Sequence, residues 1–237
     1  MFHVEHSLAF SNTCRDNGLR LSPQQIELFR KYVELLREWN GKVNLVSRKD
    51  EENVWGSHIL HSVSFLFGRS LPGNIRLLDI GTGGGLPGIP LAIVNSGWSV
   101  TLMDSIGKKV LATKDIAERL GLGNIEVLNG RAEEPSVVRE RRGAYDIVVA
   151  RGVASLAQLA KWSRPYLKRR TLPDPLLAQE ETAVPSLVAY KGGDLESELR
   201  ELRIKVPGAA ADVRALVFSG SADAGLEEKK IVVVQFT

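Results

Sequence analysis

A glycine-rich turn at residues 77–88, LLDIGTGGGLPG, is the stretch of this chain with the clearest potential for chemistry. It follows an apolar segment that resembles a strand, and it leads into residues 86–94, which resemble a helix. Glycine adopts positive φ without penalty and has no Cβ, so a bulky ligand can approach such a backbone closely. A strand, a glycine turn and a helix in this order are typical of a nucleotide-type binding site.

Two registers of the glycine turn compete. Gly83, Gly85 and Gly88 satisfy G-x-G-x-x-G, the pattern of dinucleotide sites. Asp79, with Gly81, Gly83 and Gly85, satisfies D-x-G-x-G-x-G, the pattern at the first strand of S-adenosylmethionine-dependent methyltransferases. The turn by itself leaves both ligands open.

Two neighbouring residues bear on this choice. Asp104 ends the next strand-like run, where its carboxylate could accept hydrogen bonds from both ribose hydroxyls of either ligand. Pro87 would remove one N–H from a helix N-terminus that binds a pyrophosphate, which favours a ligand without phosphate. The structural alternatives are that Asp79 only braces the loop and that Asp104 only caps the following helix.

The rest of the chain from residue 73 to residue 237 predicts one α/β domain. Seven apolar runs predict strands: IRLLDI, WSVTLMD, NIEVL, YDIVVAR, SLVAY, RALVFS and KIVVVQF. Helix-like segments fill most of the gaps, so we expect a mostly parallel sheet with helices on both faces. Because the last two runs are joined by a short polar connection, the last strand is expected to be antiparallel.

Residues 1–72 predict a helical extension that caps this sheet. Ser22 is suited to an N-cap, and Pro23 to the first helical position. A stripe of apolar residues then recurs at helical spacing and should face the core: Ile26, Phe29, Val33, Leu36 and Trp39. A second helix is expected over residues 53–67.

Composition limits the class of protein. The chain has 237 residues, 43% of them hydrophobic and 25% charged, as expected for one globular core. No apolar run approaches the roughly 20 residues that span a bilayer, and the first residues do not resemble a signal peptide, so a cytoplasmic protein is expected. The single cysteine, Cys14, permits no internal disulfide, and no metal site is expected. The net charge of +3 is compatible with a polyanionic partner.

Five motifs carry a specific resemblance: LLDIGTGGGLPGIPLAIV, LMDSIGKKVLATKDIAERLGL, GRAEE, YDIVVARGVASL and LVAYKGG. In this order they resemble the motifs of the bacterial 16S ribosomal RNA (guanine-N7)-methyltransferase family, known as RsmG or GidB, from about residue 20 onwards. The resemblance implies a class I, Rossmann-like methyltransferase fold and S-adenosyl-L-methionine as methyl donor. It also implies that the partner is 16S rRNA or the small ribosomal subunit, with a guanine of the decoding region as acceptor. A monomer is expected.

The resemblance also assigns roles to individual residues. Gly81 and Leu86 would line the methionine and ribose of the donor, Ala132 and Glu133 would flank its adenine, and Arg151 would face the donor and the entering base. The full donor-binding set is Asp79, Gly81, Gly83, Gly85, Leu86, Asp104, Ala132, Glu133 and Arg151.

The expected chemistry needs no general base, because guanine N7 has an in-plane lone pair and no proton. Rate enhancement should come from alignment of the reactants. Arg151 and Lys191 both follow apolar strands, so they should emerge at the edge of the sheet where ligands bind, and they are the candidate catalytic residues. For Arg151 a structural salt bridge is the alternative.

Other basic residues could bind RNA phosphates, although runs of charge are commonly only solvated surface. They are Lys108, Lys109, Arg131, Arg139, Arg141, Arg142, Lys168, Arg169, Arg170 and Lys191.

Two features depart from the family pattern. The family's second helix resembles RHFLDSL, whereas this chain has SHILHSV, with Ser57 for the arginine and His61 for the aspartate. A proline-bearing stretch over residues 169–185 replaces a short turn. A dinucleotide oxidoreductase, a non-catalytic RNA-binding protein and a methyltransferase acting on small molecules remain alternatives.

Overall fold

The computed structural model describes residues 2–47, 53–169 and 185–236. The N-terminal part contains α1 (Phe2–Asp16), α2 (Pro23–Asn40) and a short helix α3 (His61–Val63). The remaining elements alternate, and in chain order they are β1 (Arg76–Ile80), α4 (Gly88–Val94), β2 (Ser99–Asp104), α5 (Gly107–Leu120), β3 (Ile125–Asn129), α6 (Pro135–Arg141), β4 (Ile147–Arg151), α7 (Leu156–Ser163), β5 (Ser186–Gly192), α8 (Glu196–Lys205), β6 (Ala209–Ala215) and β7 (Lys229–Phe236).

The strands form one seven-stranded sheet in the order β3-β2-β1-β4-β5-β7-β6. Strands β1 to β5 pair in parallel, while β7 is antiparallel to both of its neighbours, β5 and β6. Both expectations for the sheet are therefore confirmed: it is mostly parallel, and its last strand is antiparallel.

The predicted position of the sixth strand was wrong. The prediction placed it over RALVFS, residues 214–219, whereas β6 ends at Ala215. β6 is an alanine-rich edge strand that is mostly exposed, so it lacks the apolar pattern of an inner strand. The apolar residues that suggested a strand, Leu216 and Phe218, instead pack beyond its end against the N-terminal helices; the Phe218 ring lies 4.9 Å from that of Phe67.

Helix α2 begins as predicted. Ser22 caps it with a full capping box, in which the Ser22 side chain accepts from the Gln25 amide and the Gln25 side chain accepts from the Ser22 amide. Of the predicted stripe, Phe29, Val33 and Leu36 are buried, whereas Ile26 and Trp39 are only partly buried.

Helix α1 was not anticipated from the sequence. Its polarity is unusual, because Ser7 is fully buried while the neighbouring Leu8 is 53% exposed. Phe10 nevertheless anchors the helix in the core, with its ring 5.0 Å from Phe29 and 5.4 Å from Trp55. A mixed pattern of this kind carries little helical periodicity, so only packing reveals the element.

The expected helix over residues 53–67 exists with mixed geometry. A π-helical stretch, Trp55–Leu60, leads into α3 and then into a 3-10 turn, Ser64–Leu66. This segment, α1 and α2 share one apolar core with a face of the sheet, whereas α7 and α8 cover the opposite face. In the described parts of the chain, no helix is long and apolar enough to cross a membrane.

Candidate functional site

The glycine turn, Asp104, Arg151 and Lys191 lie along one edge of the sheet. Strands β1, β2, β4 and β5 are parallel neighbours, so their carboxyl ends meet at this edge. This is where open α/β sheets bind their ligands. The structure therefore brings together residues that four separate sequence motifs indicated.

The glycine loop is held by three elements that are distant in sequence. The Gly83 amide donates to Asp104 Oδ2 on β2 at 3.0 Å. Thr113 on α5 donates its hydroxyl to the Gly83 carbonyl at 2.6 Å, and Tyr32 on α2 donates to the Gly84 carbonyl at 2.9 Å. These contacts fix the backbone of the loop before any ligand arrives.

Sequence reasoning missed Tyr32 and Thr113. Both are fully buried, and both contribute a hydroxyl to the loop. Tyr32 lies three residues after Phe29, on the same face of α2, so the helical periodicity could have placed it in the core. Its hydrogen-bond partner, in contrast, depends on how α2 packs on the sheet.

Three glycines of the loop have positive φ. Gly81 has φ +69°, Gly83 has φ +60° and Gly85 has φ +93°, a region that other residues enter only at a cost. A Cβ at Gly81 would lie 2.6 Å from Val153 Cγ2, and one at Gly85 would overlap the Ile89 side chain. Gly85 is therefore required by the packing of the loop on α4, whereas Gly81 faces the segment between β4 and α7.

Asp79 braces the glycine loop with one oxygen. Its Oδ2 accepts from the Thr82 hydroxyl at 2.7 Å and from the Gly88 amide at 2.9 Å. Its Oδ1 is buried and has no hydrogen-bond partner among the described residues. Complete burial raises the pKa of Asp79 to about 7, against the opposing effects of those two hydrogen bonds and of the positive charge of Arg151. Asp79 therefore braces the loop through Oδ2, while Oδ1 can accept a hydrogen bond from a ligand.

Asp104 holds both the glycine loop and the residue that precedes α5, although its side chain does not cap that helix. Its Oδ1 accepts from the Ile106 amide at 2.9 Å and its Oδ2 from the Gly83 amide at 3.0 Å. Each carboxylate oxygen has a second lone pair, so both could still accept from a ribose hydroxyl.

Arg151 ends β4 and is partly buried, beside Tyr190 of β5 in the register of the sheet. Its charge reaches several buried groups. It opposes the rise that burial causes in the pKa of Asp79, Tyr32 and Tyr190. Arg151 is thus a cation close enough to influence groups of β1, β5 and α2.

The other residues predicted to bind the methyl donor differ in how exposed they are. Leu86 and Ala132 are buried, at 4% and 5% exposure, and the Ala132 carbonyl accepts from the Tyr166 hydroxyl at 2.9 Å. Glu133 is exposed, with its Oε1 3.7 Å from Arg131 Nη1.

His61 occupies a buried position beside the site. Its ring stacks edge-on against Tyr190, with centroids 5.2 Å apart. Burial, followed by the positive charges of Arg151 and Lys229, lowers the pKa of His61 to about 3. At neutral pH this imidazole is uncharged. No group of three or more metal-ligating side chains occurs in residues 2–47, 53–169 and 185–236.

The predicted phosphate-binding residues are divided between the two ends of the parallel strands. Lys108 and Lys109 lie at the start of α5, at the carboxyl ends with the glycine loop. A cavity at the amino ends is lined by Arg142, Lys168 and Arg169, where the Asp146 amide donates to the Arg76 carbonyl at the start of β1.

Several of these cations are paired. Arg141 contacts Glu126 at 2.6 Å, and Lys168 contacts Asp146 at 2.7 Å. Arg170 and most of the proline-bearing stretch, residues 170–184, lie outside the described residues.

Comparison with known proteins identifies a family. The model of the family GidB, rRNA small subunit methyltransferase G, matches residues 25–223. The ribosomal RNA small subunit methyltransferase G of Chlorobaculum tepidum is 37% identical over 226 residues, covering 94% of this chain and 95% of that protein. The protein of the same name from Christiangramia forsetii is 37% identical over 183 residues, covering 77% and 80%.

Solved structures agree on the fold. A fibrillarin/Nop5p complex aligns with a TM-score of 0.53 at 11% identity over 76% of this chain and 80% of the matched chain. A SAM-dependent methyltransferase from Aquifex aeolicus aligns with a TM-score of 0.51 at 14% identity over 79% and 94%. The expected class I methyltransferase fold is confirmed.

Proposed function

This chain belongs to the rRNA small subunit methyltransferase G family, and from that premise we propose that it transfers a methyl group from S-adenosylmethionine to N7 of one guanine in 16S rRNA. Family membership decides between the two registers of the glycine turn in favour of the methyl donor. The proposal includes the small ribosomal subunit as partner and a cytoplasmic location. A monomeric state stays a prediction.

The observation that supports a donor site is the buried Asp79 Oδ1, which has no hydrogen-bond partner among the described residues. The donor's amino-acid end carries an ammonium group, which suits such an acceptor. Gly81, Gly83 and Gly85 would let the donor approach the backbone, Asp104 would accept from its ribose, and the backbone around Ala132 with Glu133 would flank its adenine. These residues fit the donor.

The donor supplies an electrophilic methyl group on a positively charged sulfur. The protein's own contribution is to orient and shield. The loop contacts from Tyr32 and Thr113 hold the glycine backbone rigid, and Arg151 would orient the entering nucleotide through its phosphate or its base. Since guanine N7 has no proton to lose, the uncharged His61 need not act as a base.

The test of this proposal combines purified protein, labelled S-adenosylmethionine and small subunits from a strain lacking the gene. We expect label at a single guanine of 16S rRNA, located by chemical cleavage at N7-methylguanine. Subunits from the parental strain are the matched control and should accept little label, because the position is already modified. If RNA receives no label while the donor still binds, the ribosomal assignment is wrong and small-molecule acceptors should be tested.

Gly81→Ala should weaken donor binding by about tenfold or more, because the added methyl group meets Val153 and strains a left-handed backbone. Gly121→Ala is a matched control. Gly121 also has positive φ, at +70°, but a Cβ there meets nothing within 4 Å. Both variants should lose about 1–2 kcal/mol of stability. Calorimetric titration of the donor separates them; equal donor affinity in the two variants would remove Gly81 from the site.

A further inference from the structure

Lys191 and Glu198 form a partly buried ion pair beside the site. Lys191 Nζ lies 2.7 Å from Glu198 Oε2, and the two side chains are 13% and 28% exposed. Lys191 is near the end of β5 and Glu198 is on α8. The pair therefore connects the sheet with a helix that covers its far face.

Both partners also bind the backbone of the segment between β4 and α7. Lys191 Nζ donates to the Ala154 carbonyl at 2.8 Å, and Glu198 Oε2 accepts from the Leu156 amide at 2.6 Å. The backbone is thus held directly before and directly after Ser155, which itself caps α7 through the Gln158 amide. This segment begins at Arg151.

The segment from Arg151 to Ser155 connects the end of β4 with the N-cap of α7 and passes the glycine loop. Val153 extends to the glycine loop, where its Cγ2 lies 2.6 Å from the position of a Cβ on Gly81. One end of the segment is held by the pairing of Arg151 with Tyr190. Its other end is held by Lys191 and Glu198.

The register of the sheet separates Lys191 from Arg151. Paired residues of neighbouring strands point to the same face, and successive residues point to opposite faces. Arg151 pairs with Tyr190, which packs with the N-terminal helices, so Lys191 points to the other face, towards α8. Lys191 is thereby directed away from the face that carries Arg151.

We propose that Lys191 and Glu198 are positioning residues: together they form a brace that fixes the Arg151–Ser155 segment over the glycine loop. This inference rests on the proposed function, because the brace acts on the donor site. It replaces the direct catalytic role that the sequence suggested for Lys191. Removal of either charge leaves its partner partly buried and without its counter-ion, so both single changes should disturb the segment.

The test compares Lys191→Met, Glu198→Gln and the double variant. Each single change should weaken donor binding and lower the single-turnover rate by about tenfold. The donor affinity and rate of the double variant should be no lower than those of the more impaired single variant, since the two residues act as one unit. Lys191→Arg should recover much of the loss by keeping the ion pair. The salt dependence of RNA binding should match that of the wild type.

Lys230→Met is the matched control. Lys230 lies opposite Lys191 in the β5–β7 register, and its Nζ donates to the Gly193 carbonyl at 2.6 Å, away from the Arg151–Ser155 segment. Donor binding should change less than twofold in this variant.

The proposal is overturned if Lys191→Met lowers the salt slope of RNA binding by about one while Glu198→Gln leaves donor binding and turnover unchanged, because Lys191 would then contact a phosphate. Glu198→Gln, which keeps the size of the side chain, still tests the brace if Lys191→Met does not fold. Donor affinity is measured in the absence of RNA. If the wild type fails to methylate 16S rRNA, the proposed function is contradicted, but donor affinity still tests the brace.

Discussion

Replacement of Arg151 by alanine is expected to lower the single-turnover rate of methyl transfer to small subunits by about two to three orders of magnitude. Arg151 is the cation at the end of β4 whose charge opposes the rise that burial causes in the pKa of Asp79 and adds to the fall that burial causes in the pKa of His61. In the proposed function Arg151 orients the entering nucleotide, and its replacement would remove that contact. The measurement is rapid mixing with a preformed protein–donor complex.

The controls for Arg151 separate charge, shape and folding. Arg151→Lys keeps the charge but loses the planar fork of donors, so its rate should be intermediate. Arg200→Ala removes an exposed arginine of α8 that pairs only loosely with Glu196, at 3.5 Å, and should change the rate less than threefold. A wild-type rate for Arg151→Ala would reduce Arg151 to the structural salt bridge that the sequence left open.

Asp79→Asn should have opposite effects on donor binding and on stability. Donor affinity should fall by about 100-fold, because the ammonium group loses a charged acceptor. The variant should be more stable than the wild type at neutral pH and above. Burial raises the pKa of Asp79 from its ordinary value of 3.8 to about 7, so the folded protein keeps a proton that the unfolded chain releases, and the wild type loses stability as the pH rises from about 4 to about 7.

The pH dependence tests this prediction directly. Asparagine does not titrate, and its carbonyl can still accept from Thr82 and Gly88. The stability advantage of Asp79→Asn should therefore be small near pH 4 and should grow to about 4 kcal/mol by pH 8, as measured by thermal or urea unfolding. Wild-type donor affinity should increase from pH 6 to pH 8 as Asp79 ionises, and the variant should not show this increase. A variant that is less stable at every pH would mean that hydrogen bonding to the carboxylate outweighs its burial.

The N-terminal helices contribute to the site as well as to the core. Tyr32 reaches the Gly84 carbonyl, and a Cβ on Gly84 would lie 2.6 Å from Leu36 Cδ1. The loop is thus packed between α2 and the sheet. An isolated domain that begins at residue 73 would lack one wall of its donor site.

The sequence by itself determined the elements whose signals are local. The glycine turn, the strands β1, β2 and β4, the N-cap of α2 and the position of Arg151 at a strand end could all be read from spacing and residue type, and the resemblance of five motifs indicated the family. These features depend on neighbouring residues, because periodicity, capping and positive φ are properties of short segments.

Only the tertiary structure decided how those elements act together. The Tyr32 and Thr113 hydroxyls donate to the glycine loop, and Lys191 forms an ion pair with Glu198. Strand β6 joins the sheet although its exposed alanines lack the apolar pattern of a strand. These contacts join residues that are distant in sequence, and they depend on how the helices pack on the sheet. Local sequence patterns do not predict such packing. For the same reason Asp79 could be identified as a brace or a ligand contact from sequence, but only its buried surroundings revealed one oxygen engaged and the other without a partner.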